Sequence, residues 1–180
     1  LIFMYYGNIK NLDIANGPGC RVSLFVSGCR NHCKGCFQPE TWDFNYGKEF
    51  TGETLSELMR LLENPHIKGL SILGGDPFEP ENRNVIWYSC KTIREFFGDQ
   101  KSIWMWTGYY LEDLKDLPVF NYVDVLVDGP FIESQKNLCL PYSGSENQRV
   151  INVKKSLESG EVVLWTDGNM KKGCDIREGR

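Results

Sequence analysis

The run RVSLFVSGCRNHCKGCFQPETW, residues 21–42, decides how the rest of the chain is read. Its first part, RVSLFVSG (21–28), is apolar and β-branched and stops at Gly28, the pattern of a buried strand. Its second part crowds Cys29, Cys33 and Cys36 into eight residues with C-x3-C-x2-C spacing, and no fourth cysteine follows nearby. A strand that runs directly into a loop of thiols places candidate chemistry at the strand's C-terminal end, the edge where α/β folds bind ligands.

Outward from this point the chain alternates strands and helices. TLSELMRLLENP (54–65) reads as a helix, with Leu55, Leu58, Met59 and Leu62 at i, i+3, i+4 and i+7. Thr54 with Glu57 predicts its capping box, and Asn64-Pro65 its end. IKGLSILGG (67–75) reads as a second strand. ENRNVIWYSCKTIREFFG (81–98) is a second helix, with Ile86, Cys90, Ile93 and Phe97 on one face and Gly98 as terminator. KSIWMWTG (101–108) is a third strand, a short helix follows near 111–116, and YVDVLVDG (122–129) is a fourth strand. QRVINV (148–153) and EVVLWT (161–166) read as further strands near turns. The β-α-β-α-β-α-β order predicts parallel strands joined by crossover helices. Four such units are too few for an eight-stranded barrel. The expected fold is therefore one α/β domain over residues 1–180, an open or partial β/α barrel with a mostly parallel sheet.

Polar and glycine-rich groups follow each strand: Gly28-Cys29, GGDP (74–77), WTGY (106–109) and DGP (128–130). Four loops should thus meet at one mouth. Gly74 and Gly75 let backbone approach a ligand closely, and Asp76 adds a carboxylate, a combination suited to an amino-acid head group.

Composition narrows the class. The 180 residues are 41% apolar and 13% aromatic, enough for one sizeable core, and the net charge is only −4. No Lys/Arg block points to nucleic acid or to a membrane surface, and no run of eighteen apolar residues predicts a membrane span. LIFMYYGNIKNLD, the opening, lacks a basic stretch followed by a long apolar one, so no signal peptide is expected and the cytoplasm is the expected location. Seven cysteines, an odd number with three crowded together, argue against a disulfide framework. Cys20, Cys90, Cys139 and Cys174 are scattered and read as small apolar or surface residues.

Three chemistries compete for the thiol loop. Zinc needs a closed tetrahedron, with Cys29, Cys33, Cys36 and either His32 or Cys20, yet a second paired motif is missing. A redox pair at Cys33-x2-Cys36 leaves Cys29 without a task. An iron–sulfur cubane held by three thiolates leaves one iron without a protein ligand, and an open metal position is what a catalytic centre needs.

The residues also carry a resemblance. Cys29-x3-Cys33-x2-Cys36 followed by Phe37 resembles the radical S-adenosylmethionine (SAM) family. NGPGCR (16–21), LFVSGC (24–29), GC-F-x-P-E-TW (35–42), GGDP (74–77), IWMWTGY (103–109), VDVLVDG (123–129) and GSENQR (144–149) recur in order over roughly residues 5 to 166. This ordered set is similar to the family of anaerobic ribonucleoside-triphosphate reductase activases. The resemblance implies a fold of radical SAM type and a [4Fe-4S] cluster on Cys29, Cys33 and Cys36. It further implies SAM on the fourth iron, its adenine side flanked by Gly35, Cys36 and Phe37 and its methionine end held by Gly74, Gly75 and Asp76. Thr107 and Gly108 are further candidates to touch SAM. The implied reaction is reductive SAM cleavage to a 5′-deoxyadenosyl radical, which makes a glycyl radical on the large reductase subunit. Reduced flavodoxin or an equivalent supplies the electron. Alternatives are an activase of another glycyl-radical enzyme, of formate-lyase type, and a zinc-binding module without catalysis. Phe37 stands where Tyr is common in the family, QPETW replaces N-x-STW, and Ser143 stands where Arg is frequent, with Arg149 as the candidate substitute. Residues 131–142 also depart from the family pattern.

Overall fold

The computed structural model describes residues 3–166. In chain order its elements are β1 (Tyr5–Asp13), β2 (Cys20–Val26), β3 (Lys48–Glu49), α1 (Gly52–Leu62), β4 (Ile67–Gly74), α2 (Pro80–Phe97), β5 (Ser102–Trp106), α3 (Leu111–Leu114), β6 (Val125–Asp128), β7 (Arg149–Asn152) and α4 (Val153–Ser159). Seven strands form one sheet in the order β3-β1-β2-β4-β5-β6-β7. The inner pairs β2/β4, β4/β5 and β5/β6 are parallel, and the outer pairs β1/β3, β1/β2 and β6/β7 are antiparallel.

This corrects the expected fold. The sheet is mixed and not closed, and four α-helices accompany it; it is not the partial β/α barrel of radical SAM type with a mostly parallel sheet. The cause lies at the flanks. In β1, YYGNIKNLD, only Asp13 is buried, so the strand carries no apolar run to announce it. β1 nevertheless pairs antiparallel with β2 and turns one edge of the sheet away from the βαβ pattern. The predicted strand at 148–153 exists as β7, but it returns antiparallel to β6. At 161–166 there is no strand, only an isolated bridge from Leu164 to Ile151, and α4 occupies residues that gave no helical signal. Cys174 lies outside the described residues.

Alternation along the strands sorts the two faces of the sheet. Val22, Leu24, Val26, Leu70, Ile72, Ile103, Met105 and Leu126 meet Leu58 and Leu62 of α1 and Ile86, Cys90 and Ile93 of α2 in one core. Each such buried side chain contributes about 2 kcal/mol relative to exposure. The opposite face is polar in its lower half. There the Arg21 guanidinium, fully buried, donates to Ser71 Oγ (2.7 Å), Ser102 Oγ (2.9 Å) and the Leu70 and Ser102 carbonyls (2.8 and 2.9 Å). Above it Trp104 is covered edge-on by Tyr142 and Trp165, with ring centroids 5.1 and 4.8 Å away. Among the described residues no helix is long and apolar enough to cross a membrane.

The start of α1 differs from its predicted cap by one turn. Thr51, not Thr54, is the N-cap: the Thr54 N–H donates to Thr51 Oγ1, and the Thr51 N–H donates back to Thr54 Oγ1 at 3.1 Å. Glu57 instead pairs with Arg60 on the surface at 2.8 Å. Thr51→Ala should therefore lower the unfolding free energy by about 1 kcal/mol, whereas Glu57→Ala should change it by less than about 0.5 kcal/mol. Urea denaturation of the two variants measures both, and the reverse ranking would restore the Thr54–Glu57 box.

Candidate active site

The thiol loop leaves the end of β2 and is pinned at its base. The Gly28 N–H donates to the Thr41 carbonyl (2.8 Å) and the Cys29 N–H to the Trp42 carbonyl (3.2 Å). Both acceptors lie in the 3-10 turn Pro39–Trp42. Farther out, the Cys36 N–H donates to the Cys33 carbonyl (3.1 Å), closing a tight turn that Gly35 permits with φ 76°. The thiols of Cys29, Cys33 and Cys36 are free and half-buried. Burial pushes the Cys29 thiol up to about 11, with the charge of Asp76 adding to it and hydrogen bonds from the Asn31 and His32 backbone opposing.

Among the described residues no three His, Cys, Asp or Glu side chains are gathered as around a single metal ion. A closed zinc site with bonds of about 2.3 Å requires that gathering. Cys20 starts β2 and sits roughly 20 Å along the strand from its far end, so it is no partner for the loop. His32 is exposed, its ring stacked on Trp42 with centroids 4.6 Å apart. Three thiols on one short loop are a donor set that could hold an iron–sulfur cluster, in which each thiolate binds a different iron.

The GGDP loop lies directly against the base of the thiol loop. The Gly75 N–H donates to the Val26 carbonyl (2.7 Å) and the Asp76 N–H to the Gly28 carbonyl (2.8 Å). A Cβ on Gly75 would sit 2.6 Å from that same Gly28 oxygen, so only glycine fits. Gly74 and Gly75 are half-exposed. So are Phe25, Leu73 and Trp106. The β2/β4 register sets Phe25 beside Leu73, and Leu73 and Trp106 each follow the paired Ile72 and Met105. This apolar row crosses the sheet just below the strand ends.

Asp76 itself is buried. Its carboxylate accepts from the Thr107 hydroxyl (2.9 Å to each oxygen), the N–H groups of Gly108 and Phe78 (2.9 Å each) and the Asn31 amide (3.1 Å). Burial nevertheless pushes it up to about 6 against these donors. Thr107 and Gly108, predicted near a ligand, are thus committed to Asp76. Asp128 is also buried and holds the Leu111 N–H (2.9 Å) and Arg149 Nε (2.9 Å). Arg149 reaches on to Glu112 at 2.7 Å, which draws that carboxyl down to about 2.

Phe37 is 67% exposed, lies 6.0 Å from Phe131 and carries the Lys136 ammonium 5.2 Å above its ring. Lys34 pairs with Glu133 at 3.1 Å. The divergent segment after β6 therefore packs onto the outer half of the thiol loop. Sequence reasoning missed Arg30, Asn31, Glu79 and Tyr109. The Glu79-Pro80 helix start was the one local signal, since Pro is favoured in the first turn; the pairing of Arg30 with Glu79, 49 residues apart, has none.

Comparison with known proteins places this geometry in a family. Residues 15–151 match the model of a 4Fe-4S single cluster domain. A protein of Enterobacteria phage T4 is 44% identical over 149 residues, covering 82% of this chain and 93% of its own length. A Vibrio cholerae protein is 41% identical over 81% of this chain and 96% of its own. An Escherichia coli K12 protein is 40% identical over 84% of this chain and 100% of its own. All three are named anaerobic ribonucleoside-triphosphate reductase-activating protein. With this identity over more than four-fifths of its length, the chain belongs to the anaerobic ribonucleoside-triphosphate reductase-activating protein family.

Proposed function

We propose that this chain is a radical SAM activase, an oxidoreductase of the cytoplasm that makes a glycyl radical on the large subunit of anaerobic ribonucleotide reductase. The observation that carries the reading is the thiol loop packed on the Gly74-Gly75 turn at the C-terminal ends of β2 and β4, within the span that matches a 4Fe-4S domain. Cys29, Cys33 and Cys36 would hold a [4Fe-4S] cluster. When bound and reduced, by flavodoxin or an equivalent donor, the cluster supplies one electron that splits the SAM sulfonium into methionine and a 5′-deoxyadenosyl radical, which takes hydrogen from a glycine Cα of the partner.

The protein's share is orientation and shelter. Gly74 and Gly75 present backbone to the amino-acid end of SAM, and Asp76 holds that turn in place. Gly35, Cys36 and Phe37 flank the adenine. Phe25, Leu73 and Trp106 offer an apolar floor that limits water. Protein-held cluster potentials range over about −700 to +450 mV with charge, hydrogen bonding and exposure, so a half-buried thiol loop sets the reducing power.

Reconstituted anaerobically, the protein should be brown, carry about four irons and release 5′-deoxyadenosine when given dithionite and SAM. Cys33→Ala should abolish both cluster and cleavage, and SAM cleavage surviving in that variant, or zinc in place of iron, would overturn the assignment. Mixed with SAM, reductant and the large reductase subunit, the wild-type protein should produce the doublet of a glycyl radical in electron paramagnetic resonance. Absence of the doublet despite SAM cleavage would reject the partner.

Asp76 gives a pH test on the iron-free protein. Its folded value of about 6 lies above the ordinary 3.8, so the folded state binds the proton more tightly. Its contribution is therefore fully present below about 4 and is lost as pH rises through 6, by roughly 3 kcal/mol. Asp76→Asn should remove this component, so the stability difference between variant and wild type should change between pH 4 and 7 and be flat above it. A constant difference across that range would contradict the raised value.

A further inference from the structure

The three thiols are not held alike. Cys33 and Cys36 are joined to each other by one local turn, touched from outside by the solvent-exposed Lys34–Glu133 pair and by Phe131 against Phe37. Cys29 is bracketed on both sides by long-range bonds: its own N–H goes to the Trp42 carbonyl, and the N–H of the peptide that follows it, that of Arg30, goes to Glu79 Oε1 at 2.7 Å. Glu79 is fully buried at the start of α2. The same Oε1 accepts the Tyr109 hydroxyl (3.1 Å) from the loop after β5, and Oε2 accepts the Arg30 guanidinium. That guanidinium is further fixed by Glu81 (2.9 Å) and lies 4.4 Å over the Phe44 ring. A buried carboxylate needs such donors, because an unpaired buried charge costs several kcal/mol. Its demand for partners therefore holds the peptide after Cys29 in one orientation, with no metal required.

We infer that Glu79 is a positioning residue that presets Cys29, so that one thiol is in place before iron arrives while the Cys33–Cys36 turn adjusts around the incoming cluster. This rests on the reading of the three cysteines as cluster ligands. The role is geometric: an oxygen acceptor at the position of Oε1 is what counts. Glutamine keeps that acceptor and alanine deletes it.

The test uses the full chain in two states. In the iron-free protein, amide hydrogen exchange at Arg30 should be slow. It should accelerate roughly tenfold or more in Glu79→Ala and return close to the wild-type rate in Glu79→Gln, with the Leu70 and Ile72 amides of the core unchanged in both. In the reconstituted protein, iron loss to a chelator should follow the same order, roughly tenfold faster in Glu79→Ala. The reduced cluster of that variant should show a broadened paramagnetic resonance spectrum that Glu79→Gln sharpens again. Arg30 exchange unchanged in Glu79→Ala overturns the inference, as does equal damage from Ala and Gln. Should Glu79→Ala not fold, Glu79→Met fills a similar volume without the oxygen acceptor; faster exchange at Arg30 in it then supports the inference, and an unchanged rate rejects it. If the wild-type protein binds no cluster, the proposed function fails, yet the exchange at Arg30 still decides whether Glu79 presets Cys29.

Discussion

A carboxylate removed from water must be surrounded by donors, and the site is organised around that demand. Asp76 draws Asn31 from the loop after β2, Phe78 from its own turn, and Thr107 with Gly108 from the loop after β5. Glu79, three residues on, draws Arg30 and Tyr109 from the same two loops. Two buried acids on one short segment thus tie three strand ends together. These acids fix the first part of the thiol loop, beside the bonds of Gly28 and Cys29 to Thr41 and Trp42 farther along the same loop.

The sheet makes this arrangement possible. Parallel β2, β4 and β5 deliver three loops to one edge, while the antiparallel strands on either side leave the sheet as an unclosed layer. One face is filled by α1 and α2, and the other is divided by height. At the bottom Arg21 bridges β4 and β5 through two serines and two carbonyls. At the top Phe25, Leu73 and Trp106 stay half-exposed. The sealed half anchors the sheet.

Much of this was legible. The helix faces of α1 and α2 follow from their apolar period, and Gly98 ends α2 as its position predicts. Every thiol and glycine of the candidate site stands out by spacing alone. What was misread has a common cause. β1 exposes most of its side chains, so pairing rather than burial makes it a strand. Thr54 has a glutamate at the spacing of a capping box, but the helix already starts at Gly52, so Thr51 is the N-cap and accepts the Thr54 N–H. Asp128, at the end of β6, and Arg149, the candidate substitute for the family's arginine, pair with each other at the start of α3, a contact with no signal in the local sequence.

From the amino-acid order alone come the thiol triad, the glycine pair and the strand–helix rhythm, because these are matters of covalent spacing along a few neighbouring residues. Tertiary structure alone decided that the outer strands run antiparallel, that Asp76 faces protein donors, and that Glu79 holds the peptide after Cys29. The last two outcomes depend on hydrogen bonds between residues some thirty to fifty positions apart, and such partners become neighbours only once the strands are paired and the acids are buried.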